Sequence, residues 1–146
     1  MDKLGNLNQF NPEAVDLSLY NDFKKRVERL EGDIGYYQAF KFAQESNGLI
    51  GYYHTYKVKA EGELRDSKAE LETLKANKSI ELGDNVSDGK RKAEADSEVK
   101  EQKDYINKLH RYVNYLEGLV DKLTKTHYLM KQRHEEGEEE KARSGM

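Results

Sequence analysis

The feature that most constrains this chain is a repeat near its C-terminal end. Stepping alternately by three and four residues from Val99 gives Val99, Gln102, Ile106, Leu109, Val113, Leu116, Val120, Leu123, His127 and Met130, and eight of these ten are apolar. A mean spacing of 3.5 residues is the coiled-coil period, so this face predicts a seam for a partner helix. Tyr105, Tyr112 and Leu119 repeat every seven residues beside it and widen the face, which suits three or more helices better than an isolated pair. Asp96 or Ser97 offers an N-cap, Glu98 sits in the first turn, and Lys131 and Arg133 sit in the expected last turn. The spacing therefore predicts a helix from Ser97 to about His134, on the order of 55 Å long.

A second seam of the same period runs through Ile50, Tyr53, Lys57, Ala60, Leu64, Ser67, Leu71 and Leu74. Upstream, Phe23, Val27, Leu30, Ile34 and Tyr37 repeat with related spacing and lose phase around Ser46-Asn47-Gly48. Gly32, Gly35, Gly48 and Gly51 each cost a helix about 1 kcal/mol relative to Ala, so breaks or kinks are expected there. Asn11-Pro12-Glu13 reads as a helix start, with Asn11 as N-cap and Pro12 at the first helical position. These signals predict an N-terminal arm over 1–11, a helix from about Pro12 to Glu31, and a long helix from about Gly35 to Ser79 weakened near Gly48. A polar loop over about 80–96 would then turn the two long helices back on each other. The acidic run from Glu135 to Glu140 reads as a mobile tail over 135–146.

Composition agrees with an all-α chain. A single proline leaves few of the turn punctuators that a multi-stranded sheet needs. With no cysteine, a disulfide framework, a Cys-based zinc site and a cysteine nucleophile are excluded. Nothing at the N-terminus reads as a signal peptide and no apolar run reads as a membrane span, so a cytoplasmic setting without membrane partners is expected. Leu, Ile, Val and Phe make up about one-fifth of the chain, close to the level at which highly charged chains fail to build a core. Part of the core is therefore expected from neighbouring subunits, with Ile106, Leu109, Val113, Leu116, Val120 and Leu123 as a homo-oligomer interface. The formal charge of −3 hides an uneven distribution. From Lys100 to Arg133 eight basic residues face four acidic ones, a net +4, whereas 134–146 carries five Glu against Lys141 and Arg143, a net −3.

Catalytic signatures fail on inspection. Gly83 to Lys90 has one residue too many for a phosphate-binding loop, and Arg91 stands where Ser or Thr would ligate magnesium. Read as a calcium loop, the same stretch puts Val86 at a ligand position and Ala95 where a bidentate Glu belongs. His134-Glu135-Glu136 opens like a zinc protease motif, but Glu138 occupies the place of the second His. No metal, cofactor or enzymatic activity is expected, and His127 reads as a polar register-setting residue or an end-of-core residue in the seam. The clustered Tyr36, Tyr37, Phe40, Phe42, Tyr52, Tyr53 and Tyr56 read as packing residues rather than base-stacking ones. Binding surfaces remain. Arg65, Lys68, Lys75 and Lys78 on the long helix and Lys90-Arg91-Lys92 after the loop could track a phosphate backbone, although Glu61, Glu63, Asp66, Glu70 and Glu72 are interspersed.

Several segments, in order, carry a family likeness. Ala43 to Tyr53 (AQESNGLIGYY), Glu70 to Lys78 (ELETLKANK), a Gly-bearing polar loop, Ala95 to Val99 (ADSEV), a tyrosine-rich helix and His127 to Arg133 (HYLMKQR) together resemble the phage recombination mediators of the UvsY family. The resemblance spans roughly 40–137. It implies a small helical protein that assembles into rings, binds single-stranded DNA and helps load a RecA-like recombinase onto DNA coated by single-strand-binding protein. Such a protein would act in DNA recombination and repair, in the host cell cytoplasm if phage-encoded. Leu74-Lys75-Ala76 matches the family's Leu-Lys-Ala-Arg segment, which implies a DNA contact for Lys75. Asn77 stands in the arginine's place, with Lys78 one residue later. The alternative on the seams alone is a coiled-coil scaffolding or chaperone-like assembly protein with no nucleic-acid role.

Overall fold

A computed structural model of the chain describes residues 15–30 and 32–145. Four helices occupy them: α1 (Ser18–Arg29), α2 (Tyr36–Leu82), α3 (Val86–Ala95) and α4 (Ser97–Ser144). No strand occurs among the described residues, so the chain is all-α as its periodicity predicts. No helix among them is long and apolar enough to cross a membrane.

The two long helices form an antiparallel hairpin about 70 Å long. Its register is fixed by a ladder of polar contacts along its length. His134 Nδ1 lies 3.0 Å from the Tyr36 carbonyl, His127 Nδ1 2.9 Å from the Ala43 carbonyl, Tyr105 Oη 3.1 Å from the Glu63 carboxylate, and Gln102 Nε2 2.9 Å from the Ser67 carbonyl. Between these rungs the seam of α4 is buried on α2. Val99, Gln102, Ile106, Leu109, Val113, Leu116, Leu123 and Met130 are all buried, with Val120 and His127 half-buried. One apolar cluster joins Tyr53, Phe42 and Ala43 to Leu116, Leu123 and Met130; the other joins Ala60 and Leu64 to Ile106, Leu109 and Val113. The six residues expected at an oligomer interface are therefore engaged inside the chain, because the partner helix of their seam is α2.

The expected weak point in α2 is absent. Its buried stripe continues through Ala39, Ala43 and Ser46 to Tyr53 without losing phase, because Ser46, fully buried, is itself a seam residue. Its hydroxyl bonds the Ala43 carbonyl at 3.0 Å and faces His127, as the register-setting role of that histidine requires. Gly48 and Gly51 lie on the solvent side of a helix that packing against α4 holds together. The breaks expected at Gly32 and Gly35 do occur: Gly32 turns the chain with φ +91° and Gly35 is the N-cap of α2.

The N-terminal helix is shorter than its expected span. Its proposed start at Asn11 and Pro12 lies outside the described residues, as does the arm over 1–11. Before α1, the Asp16 carboxylate accepts bonds from the Ser18 N–H and hydroxyl at 2.9 and 2.5 Å. Two tyrosines of α2 then hold this turn. Tyr52 Oη accepts from the Asp16 N–H at 2.8 Å, while Tyr53 Oη donates to the Asp16 carbonyl at 2.7 Å and accepts from the Tyr20 N–H at 2.9 Å. Phe23 meets Phe42 edge-to-face, anchoring α1 on α2.

The expected loop over 80–96 and the tail over 135–146 are mostly helical. Only Gly83, Asp84 and Asn85 separate α2 from α3, and Asp96 alone separates α3 from α4. The Asn85 side chain caps α3 by accepting from the Asp88 N–H, and Asp96 caps α4 by accepting from the Glu98 and Val99 N–H groups. At the other end α4 continues to Ser144. Gly137 abuts Tyr36 so closely that a Cβ would overlap its side chain, His134 and Glu138 pair at 3.2 Å, and Lys141 donates to Tyr36 Oη at 3.1 Å. These contacts and the i,i+4 pairs supply what the acidic run lacks in apolar periodicity.

Candidate nucleic-acid interface

The fold does bring Lys75, Lys78, Lys90, Arg91 and Lys92 to one end of the hairpin, where α3 lies beside the last turns of α2. It also delivers a carboxylate to most of them. Lys75 Nζ lies 3.2 Å from Glu94, which also holds Lys103, and 4.0 Å from Glu72. Lys78 Nζ lies 3.8 Å from Asp96 and 3.4 Å from Glu98. Arg91 and Lys92 share Asp88 at 2.8 and 3.1 Å.

The titration behaviour follows from this pairing. Asp88 is lowered to about 2 by bonds from Arg91, Lys92 and the Asp84 N–H. Lys103 and then Lys75 hold Glu94 below its ordinary range. At Lys78, desolvation lowers the pKa, but Asp96 and Glu98 outweigh it and leave the ammonium raised. A phosphate arriving here would displace carboxylates already in place, gaining little. Lys90 has no ion pair among the described residues; it faces Lys75 across a groove of about 510 Å³. Arg65 and Lys68 are likewise exposed and unpaired among the described residues, two turns back along α2.

A longer line of unneutralised cations lies on α4. On the face of α4 opposite its seam, the same three-four stepping passes through Lys108, Arg111, Tyr115, Gly118, Lys122 and Lys125. The four cations are exposed, none has an ion pair among the described residues, and Tyr115 between them is 51 % exposed. Between Lys108 and Lys125 no acidic residue falls on this line, although the same stepping carried back from Lys108 reaches Asp104 and Glu101; Glu117 and Asp121 both lie along one edge of it. Lys108 to Lys125 spans about 25 Å. A Cβ at Gly118 would meet nothing within 4 Å, so the fold itself has no need of that glycine, and its absent side chain leaves the middle of the stripe open. The signal was present in the sequence: the arithmetic that found the seam, begun at Lys108, finds the stripe.

Among the described residues no group of three His, Asp or Glu side chains is placed to hold a metal ion. Compared with protein-family models, curated proteins and solved structures, the chain matches none.

Proposed function

We propose that this chain is a non-catalytic, single-stranded-DNA-binding protein of the recombination-mediator type, which holds DNA without sequence preference along the outer face of α4. The observation that carries this reading is the line of Lys108, Arg111, Lys122 and Lys125, uninterrupted by any acidic residue over that span, around an exposed tyrosine. Phosphate neutralisation by unpaired cations supplies most non-specific affinity, and a tyrosine ring accepts any base by stacking. The stripe is straight and rigid because it rides on a helix whose other face is buried. Loading of a RecA-like recombinase onto DNA coated by single-strand-binding protein rests on the family resemblance alone.

The test is binding of labelled single-stranded DNA across a salt series. Four neutralised phosphates give a logarithmic slope of about −3. Replacing Lys108, Arg111, Lys122 and Lys125 by Ala should abolish that slope and weaken binding at low salt at least about tenfold, while Lys75→Ala with Lys78→Ala changes it less than about twofold. Binding by the stripe variant equal to that of the unaltered chain would sink the reading. The scaffolding alternative draws on a different observation: Ile80 and Val86, exposed by 82 % and 72 % at the tip of the hairpin, suit a protein partner. It is favoured if no binding to DNA occurs even at low salt.

A further inference from the structure

The outer line of α4 changes sign twice along its length, from Glu101 and Asp104 to the four cations and back to carboxylates beyond them. Beyond Lys122 and Lys125 the same three-four stepping passes through Leu129 and Gln132 and then reaches Glu136 and Glu139. The spacing within the two charged pairs is identical, three residues in each. All four charged side chains are exposed, and Leu129 with its neighbour Tyr128 lies bare between the pairs, 56 % and 63 % exposed. Tyr128 meets the seam residue His127 edge-to-face, with ring centroids 5.6 Å apart, whereas Leu129 stands free on the solvent face of a long amphipathic helix.

The acidic half cannot reach the basic half of its own molecule, because both ride on one unbroken helix. A second copy of the chain carries a complement of the same spacing. We infer that two copies of this chain pair through the outer faces of their α4 helices, antiparallel and related by a two-fold axis near Leu129 and Gln132. In that alignment Lys125 of one copy faces Glu136 of the other, and the same register sets Lys122 opposite Glu139. The axis then repeats both pairs, so four cations meet four carboxylates. Leu129 of each copy lies over Gln132 of the other, and both leucines and both Tyr128 rings gather at the centre, where water is most completely excluded. A self-complementary patch of this kind closes after two subunits. Any parallel arrangement in register sets like charges together and is disfavoured by the same residues.

The surface contacts that these side chains make in the single chain are easily exchanged. Glu139 pairs with Arg143 at 3.6 Å with both side chains about 70 % exposed, and Glu136 accepts from Gln132 at 3.2 Å. Exposed i,i+4 contacts of this sort contribute little. On one flank Tyr128 is exposed; on the other, α1 shares a groove with Lys122, Lys125 and Thr126. This pairing surface differs from the buried seam of Ile106 to Leu123, which is consumed within each chain. It stands independently of the nucleic-acid reading, although DNA and a second copy would compete for Lys122 and Lys125.

The experiment is a charge exchange read by light scattering and sedimentation on the full chain. The unaltered protein should run at twice the chain mass at low salt and dissociate as salt rises. The double variants K122E/K125E and E136K/E139K should each raise the dimer dissociation constant at least about tenfold. Mixed in equal amounts, they should restore a one-to-one dimer, since every facing pair is again of opposite sign. A chain that stays monomeric at its highest soluble concentration overturns the inference. So does an assembly of any size that both double variants leave intact, or a mixture that fails to pair. Should circular dichroism show lost helix in either variant, K122Q/K125Q and E136Q/E139Q provide the weakening arm without charge reversal. The variant K108A/R111A separates the two readings, because it should weaken DNA binding and leave the dimer unchanged.

Discussion

At the scale of single residues, the least expected role belongs to Tyr53. The tyrosine-rich segment reads in the sequence as packing, and Tyr53 is indeed fully buried, yet its hydroxyl also serves as the N-terminal cap of another helix. α1 has no side-chain cap at Leu17; the Tyr20 N–H, one of its orphan donors, is satisfied by Tyr53 Oη, which passes its own proton to the Asp16 carbonyl. Burial raises the pKa of this phenol against the opposing bond from Tyr20, so it stays protonated and able to donate. Tyr53→Phe keeps the ring in place and strands both backbone groups. We expect it to lower stability by about 1–3 kcal/mol in urea unfolding, with Tyr52→Phe, at a more open site, costing less. No pattern in the sequence pairs position 53 with position 16, which is why this contact was not legible there. Asp88 was legible only as part of a failed calcium loop. Its carboxyl titrates near 2 in the folded chain against an ordinary 3.8, so the stabilisation from Arg91 and Lys92 is complete above 3.8 and is lost as the pH falls towards 2. Acid unfolding curves should show this dependence, and Asp88→Asn should flatten it over that window.

At the scale of elements, α4 was legible from Ser97 because its seam never loses phase, whereas α3 was not. Ten residues give no sustained period, and the Gly-Asp-Asn cluster before it reads as turn chemistry. What makes α3 a helix is tertiary. Gly89 lets it lie directly on α2, where a Cβ would overlap the Ser79 carbonyl, and Gly83 is equally close to the Gly89 backbone. Gly48 is the opposite case, with nothing within 4 Å of an added Cβ. In the sequence Gly48 counts as a helix cost and Gly89 falls in an expected loop, whereas in the structure both are helical and only Gly89 is required to be small. Gly89→Ala should force α3 off α2, costing about 1–3 kcal/mol and exposing the amides of 86–95 to faster hydrogen exchange. Gly48→Ala should instead stabilise the chain by about 0.5–1 kcal/mol, read as a higher urea midpoint. The basic cluster shows the same limit. Lys75, Lys78, Arg91 and Lys92 look available along the chain, and only the placement of α3 brings Asp88, Glu94, Asp96 and Glu98 against them.

At the scale of the whole molecule, the question posed by a thin supply of large apolar residues is where the core comes from. The sequence points to neighbouring subunits; the hairpin answers with its own second helix. Small residues at α2 seam positions, Ala39, Ala43, Ser46, Ala60 and Ser67, let the leucines of α4 fill most of the interface, with Phe42, Tyr53 and Leu64 the large α2 side chains buried among them. The economy of apolar residues is thus a consequence of one thin, long interface rather than a sign of an incomplete one. It follows that folding and association are separable. If the core were shared between copies, the melting temperature would climb with protein concentration. With the core inside the chain and association confined to the outer face of α4, the unaltered protein and E136K/E139K should melt within a few degrees of each other in dilute solution. Leu116→Ala, which empties a fully buried site between α2 and α4, should cost about 2–5 kcal/mol at every concentration. A loss that shrinks as the protein is concentrated would return Leu116 to a subunit interface and with it the core that the hairpin claims as its own.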